Sequence, residues 1–430
     1  MMSILKKLKI DDILILFLLL IIYLPYKQLN FFIGHIYLHE IIFGIYFFIN
    51  LILLLKKDRF KEFKETINKE KKIIIIFLFY ILINFIFSLY ILKYKTHYLN
   101  NLKIHINVLR GYTEFLIILF FFSFNLEKGW LGLKRYILLL IFLLTISLIY
   151  PTFFIFSKIN IIKLFTVNRY YFELRNIAKV NHYIFPDGAY SIFILGFIPF
   201  ALFNYKNKLL RFFLFFAIFF SIVGIFVTFS RIFLPAFLFI AFWSIFYFKK
   251  RTKIILLIIF IIFLSLSGKI IVERLISYRF DITWIGSGRF HLLNAVNNIF
   301  ADNINNIFTG IGMGNFSEYS YHYIYSHIFQ GFSGPHNQFF TILVDSGITG
   351  YFIFWFFIIS IILKTIKNMK NDKKNKIFYF SFLGVFLSWL ITSLFADMII
   401  TYFPLMSHYL FLYWGLLSIL ISSDRLTENK

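Results

Sequence analysis

The sequence predicts an all-α, polytopic transmembrane helix bundle of about twelve spans, with a large extracytoplasmic loop containing short helices between the ninth and tenth. Three observations predict it. Of the 430 residues, 60% are hydrophobic and only 15% are charged, whereas roughly a quarter of a soluble domain is charged. Apolar runs of roughly 17–25 residues, the length that crosses hydrocarbon, recur along the whole chain. Lys and Arg collect in every second connection between those runs.

The runs fall at residues 10–25, 30–55, 73–92, 106–125, 136–156, 187–204, 210–228, 231–248, 252–268, 337–363, 377–396 and 398–421. The first follows Lys6, Lys7 and Lys9, and no small-residue cleavage site comes after Tyr23 and Pro25; an uncleaved span is expected, not a secretory leader. The seventh and eighth runs nearly fuse, and only Thr228 to Arg231 marks a turn between them.

A net charge of +24 points to nucleic acid in a soluble protein, but here its placement points to topology. Most of the 44 Lys and Arg lie in the N-terminal segment, in Lys56 to Lys72, at Lys128, Lys134 and Arg135, at Lys206, Lys208 and Arg211, in Lys249 to Lys253, in Lys364 to Lys376 and in the C-terminal tail. These connections are expected on the cytoplasmic side, with both termini. The whole of 1–430 then reads as one integral membrane domain with two long connections on the far side, 157–186 and 268–336. Connections of that length are usually functional. Within the second, Arg289 to Phe300 has apolar residues at helical spacing, which predicts a helix lying on the membrane surface.

The absence of Cys excludes disulfides, thiolate zinc sites and cysteine nucleophiles. His322, His327 and His336 are dispersed and the outer loops hold no paired acids at ligand spacing, so neither metal nor cofactor is expected. The glycines of Thr309-Gly310-Ile311-Gly312-Met313-Gly314-Asn315-Phe316 do not make a dinucleotide site, which requires a strand before and a helix after in a βαβ unit. A tight turn after the surface helix is expected instead.

His336, in Gly334-Pro335-His336-Asn337-Gln338, stands at the outer mouth of the tenth span. An imidazole there suits a general base near neutral pH, or an interfacial residue satisfied by backbone carbonyls. Arg231, at a span end, is either a partnered charge or one that snorkels to the interface. Lys158, Lys163, Arg169, Arg175 and Lys179 break the positive-inside trend, opposed only by Glu173 and Asp187; they suit a pyrophosphate, through Arg169 or Arg175, or anionic headgroups. The alternation of Tyr319, Tyr321, Tyr323 and Tyr325 suits stacking on sugar or simple interfacial residence. Arg110 and Glu114, four apart in the fourth span, are expected to neutralise one another. Asp345 and Asp397 are acids in or near the membrane, the former expected to pack helices.

Four motifs in order resemble the O-antigen ligase and O-antigen polymerase family: Thr228-Phe229-Ser230-Arg231, Ser287-Gly288-Arg289, Gly310-Ile311-Gly312-Met313-Gly314-Asn315-Phe316, and Pro335-His336-Asn337 before a Val-acid-Ser-Gly helix. The resemblance covers residues 220–360; the N-terminal half matches in hydropathy and span count. It implies inverting, metal-independent transfer of a glycan from an undecaprenyl-pyrophosphate carrier to a hydroxyl at the periplasmic face of the bacterial inner membrane, in lipopolysaccharide biosynthesis. Its arginines fall on Arg231 and Arg289, and Arg suits pyrophosphate because it stays charged and binds in a bidentate way. The expected site is therefore His336 as base, Arg231 and Arg289 with Arg169 or Arg175 on the pyrophosphate, and Tyr319, Tyr321, Tyr323 and Asn337 beside the sugar.

The expected partners are the lipid-linked glycan donor, a glycolipid or glycan acceptor and membrane lipids, without nucleic acid. Ligase, with lipid A core as acceptor, is narrowly preferred to polymerase. A protein-glycosylating enzyme of the same family is less favoured, because no added soluble domain is present. A transporter or flippase of lipid-linked glycans is the rival from another class, but the repeated halves common in transporters are not found.

Overall fold

A computed structural model describes residues 28–31, 34–37, 129–158, 184–227, 233–255, 289–312, 315–321, 323, 334–335 and 337–394, with isolated positions 52, 79, 82, 257–258, 260–262 and 265. The architecture is helical. The helices bounded among the described residues are, in order, α1 (Gly129–Lys158), α2 (Ile184–Asn204), α3 (Lys208–Val227), α4 (Phe233–Ile245), α5 (Arg289–Asp302), α6 (Asn305–Thr309), α7 (Phe316–Ser320), α8 (Gln338–Asn371) and α9 (Lys376–Ser393). The only strands among these residues, β1 (Gln28–Phe31) and β2 (Gly34–Tyr37), form an antiparallel hairpin in which Phe31 pairs with Gly34.

That hairpin corrects the start expected for the second span. Polar and apolar side chains alternate in Gln28 to Phe31 and again in His35 to Tyr37, a strand signal at the edge of an apolar stretch that length alone assigned to the membrane.

Lys208–Ile225, Gln338–Asn371 and Lys376–Ser393 are long and apolar enough to cross a membrane, and Ile137–Ile146, Gly188–Asn204 and Phe233–Ile245 are shorter apolar helices. All six coincide with expected spans. The ninth span is represented by helical residues 250–255 and scattered helical positions as far as 265. The first, third, fourth and twelfth spans, with Arg110, Glu114 and Asp397, lie outside the described residues or reach them only at positions 79 and 82.

The helix α2 is the hub, packed against α1, α3, α4 and α9. Its Phe193, Phe197 and Phe200 are buried, and the last two meet Phe378 of α9 with ring centroids 6.2 and 5.8 Å away. Lipid offers helices no hydrophobic drive to associate, so close packing has to do it, and small residues permit it. Gly196 of α2 lies directly against Val385 of α9, and Gly384 of α9 against Trp243 and Ile240 of α4. The hydroxyls of Thr145, Thr152, Ser221, Ser388, Thr392 and Ser393 each donate to the carbonyl four residues earlier, so their polar atoms are satisfied within their own helices.

Neighbouring contacts give the directions of the helices. Phe142 meets Phe213, and Phe153 meets Phe220, so α1 and α3 run parallel. At one end of the bundle Trp243 Nε1, near the close of α4, donates to the Phe380 carbonyl near the start of α9 at 3.1 Å. Phe203, at the end of α2, meets Tyr247 there too. The same end is the basic one: burial, with Lys374 nearby, holds the Lys134 ammonium below the ordinary lysine pKa. At the opposite end, Asn337 before α8 bonds to Leu394 after α9.

The basic connection Lys364 to Lys376 is not a loop. Helix α8 continues to Asn371, and Asp372 to Asn375 alone make the turn, closed by Asn375 Nδ2 donating to Asp372 Oδ2 at 2.8 Å. Lysine is a good helix former, and the rule that sorts positive charge by side is silent on whether the charge lies in helix or loop.

Candidate functional site

The segments 289–312 and 315–320 and the first turns of α8 form one assembly at the end of the bundle away from the lysines. Its core is Leu292, Ala295, Val296 and Ile299 from α5, Ile311, Phe316 and Val344. The apolar stripe of α5 is therefore spent on protein, not laid on a membrane as expected, because the chain returns through Ile311 and Phe316 to cover it. The Asn-rich turn 303–306 links α5 to α6: Asn303 Oδ1 accepts from the Asn305 amide at 3.0 Å, and Asn306 Nδ2 donates to the Ile299 carbonyl at 3.0 Å.

After α6 the glycine segment is a turn, as expected, and it also docks. Gly310 and Gly312 have φ of 73° and 83°, and Gly347, inside α8, has φ 63° and ψ −171°, values open to glycine but strained for other residues. Gly347 breaks α8. Alongside the break, the Ile311 amide donates to the Val344 carbonyl at 2.8 Å and the Gly312 amide to the Asp345 carbonyl at 2.9 Å. Thr349 Oγ1, just past the break, donates to the Phe308 carbonyl at 3.1 Å. A Cβ on Gly310 would collide with the backbone of Asp345 and stand 2.5 Å from the Ser346 nitrogen; one on Gly347 would collide with Phe308 and stand 2.6 Å from the Gly310 nitrogen. Two backbones thus meet where neither carries a side chain. The two loop amides are given to helix carbonyls, so this pair does not cradle a phosphate.

Asn337 caps α8. Its Oδ1 accepts from the amides of Phe339 at 3.0 Å and Phe340 at 3.3 Å, while its Nδ2 donates to the Leu394 carbonyl at 2.8 Å. Both ends of the amide thereby position the helix start, a role the sugar-facing expectation did not contain. Asn337→Ala is expected to cost about 1–2 kcal/mol through loss of the cap, read as a lower thermal midpoint of the detergent-purified protein, with Asn337→Asp, which keeps the cap but not the donor to Leu394, falling between.

The tyrosines divide by face. Tyr319 and Tyr323 pack against the assembly's core, and Tyr321 is 57% exposed. Asp345 is buried. Arg289 is the first residue of α5. Arg231, Arg169, Arg175, His336 and Tyr325 lie outside the described residues, as do Lys163, Lys179, Glu173, His322 and His327.

Sequence reasoning missed the roles of Gly347, Thr349 and Leu394. A glycine within an apolar span, costing about 1 kcal/mol against alanine, was the available signal for the break.

No curated protein matches the chain. The family model described as O-antigen ligase matches residues 216–355, from the middle of α3 through the loop assembly to the second half of α8. The resemblance carried by the four motifs is therefore met by a family match over the same stretch: residues 216–355 are similar to the O-antigen ligase family.

Proposed function

We propose that the protein is a glycan transferase of the ligase type, moving a glycan from undecaprenyl pyrophosphate to a hydroxyl acceptor, with lipid A core preferred, at the periplasmic face of the inner membrane. The observation that carries this reading is the O-antigen ligase match over 216–355, the stretch holding Arg231, Arg289 and His336 together with the loop assembly. In this mechanism His336 removes the acceptor proton as the hydroxyl oxygen attacks the anomeric carbon. The bond from that carbon to the pyrophosphate oxygen breaks with inversion. Arg231 and Arg289, with Arg169 or Arg175, hold the departing negative charge, since guanidinium remains protonated and offers paired donors to phosphate oxygens. No metal is required by this scheme. Tyr321, with Tyr319 and Tyr323 behind it, lines the sugar side.

Asn337, fixed at both ends of its side chain, follows His336 directly in the chain and supplies the rigid support that a general base needs to keep its geometry. Purified protein mixed in detergent with lipid-pyrophosphate donor and acceptor tests the reading: product forms, although there is no membrane to cross. A flippase gives none under those conditions, and absence of product with active donor would end the proposal. An acceptor panel of lipid A core against donor-linked repeat units separates ligase from polymerase.

A further inference from the structure

We infer that Thr349, Gly310 and Gly347 are positioning residues for transfer, acting through a backbone clasp that fixes the outer loop to α8; this rests on the reading above. The argument begins with the cost of breaking a membrane helix. Gly347 lies about 14 Å along the axis from Gln338, at 1.5 Å per residue, within a segment of spanning length and hydropathy. A break there turns helix carbonyls away from their own ladder, and such groups have to find donors from protein where lipid has none. The loop supplies them: the amides of Ile311 and Gly312 reach the carbonyls of Val344 and Asp345, and Thr349 returns a bond to Phe308. Neither partner is complete alone, since the loop turn needs acceptors and the broken helix needs donors.

The consequence concerns the two limbs of the site. Helix α5, which opens on Arg289, joins the clasp through its buried contacts with Ile311, Phe316 and Val344. The start of α8, capped by Asn337, is the other limb, nine residues before the break. The clasp therefore sets the spacing between the segment opening on Arg289 and the segment following His336. A displacement of about 1 Å at such a spacing is enough to slow a reaction that depends on alignment.

Thr349 is exposed and its hydroxyl makes the clasp's one bond donated by a side chain, so it can be altered without opening a cavity. Thr349→Val, which keeps the shape and removes the donor, is expected to lower kcat about fivefold, the scale of one hydrogen bond, with KM little changed; Thr349→Ser is expected to restore it. A second variant reads the clasp directly. Since the protein has no cysteine, Phe308→Cys with Thr349→Cys, both at exposed positions, gives a pair that oxidation can join. Transfer by the oxidised pair should approach the wild type and fall again on reduction. Thr349→Val working at the wild-type rate, or an oxidised pair no more active than the reduced one, would overturn the inference. A wild-type protein that transfers nothing would overturn the transferase reading instead, and the yield of the oxidised pair would still report whether loop and helix are clasped.

Discussion

Replacing His336 by alanine should abolish glycan transfer while leaving the protein folded in the membrane. General-base catalysis is typically worth 10²–10⁴-fold, and nothing else in the sequence between Gly334 and Gln338 titrates near neutrality. The structural work at this point is done by the next residue: Asn337 caps α8 and ties it to Leu394, so loss of the imidazole leaves the helix start held. The measurement is product formation from defined donor and acceptor, beside the thermal midpoint of the same preparation. A midpoint close to wild type with transfer lost supports the base; unchanged transfer removes His336 from the mechanism.

The second large effect is on stability. Gly384→Val places a branched side chain where a Cβ alone would stand 2.5 Å from Trp243 Cδ1, 2.7 Å from its Nε1 and 3.0 Å from Ile240 Cδ1. Trp243 has little room to retreat. Its indole stacks on Phe380 with centroids 4.9 Å apart and donates to the Phe380 carbonyl. Forcing α4 from α9 is expected to cost about 1–3 kcal/mol from overpacking, and about 1 kcal/mol more if the indole bond is lost. The readout is a lower thermal midpoint and reduced accumulation in membranes. Gly384→Ala should show the same sign at smaller size, and a Gly384→Val protein as stable as wild type would contradict the close approach.

Much of this fold was legible because a lipid solvent imposes a simple rule on composition. Runs such as 136–156, 187–204 and 377–396 recur as α1, α2 and α9 with ends displaced by at most seven residues, since length and hydropathy are properties of the run itself. Features that depend on a distant partner were not legible. Nothing local to Gly310 says that its amide neighbours meet Val344 and Asp345, over thirty residues along, and nothing local to Asn337 points to Leu394. The apolar stripe of α5 was read correctly as a stripe, but whether lipid or protein covers it was decided by Ile311 and Phe316, which only the turn brings back. Asn30, Phe31 and Gly34–Tyr37 were misassigned because the apolar residues of these strands adjoin the run that begins the span. At the candidate site, the motifs around Arg289, Gly310 and Asn337 were visible as a set, whereas the division between exposed and core-facing tyrosines, plain for Tyr321 against Tyr319, required the packing.

The meeting of Gly310 with Gly347 bears on how this protein can vary. Where two side chains clash, shrinking one makes room for growth in the other, and suppressor alleles arise readily. Here each position already carries the smallest residue, and the obstacle to either is main chain. A methyl gained at one glycine thus has no reciprocal loss to balance it, and relief would have to come from a change in the length of the 303–309 connection that lets the two chains part.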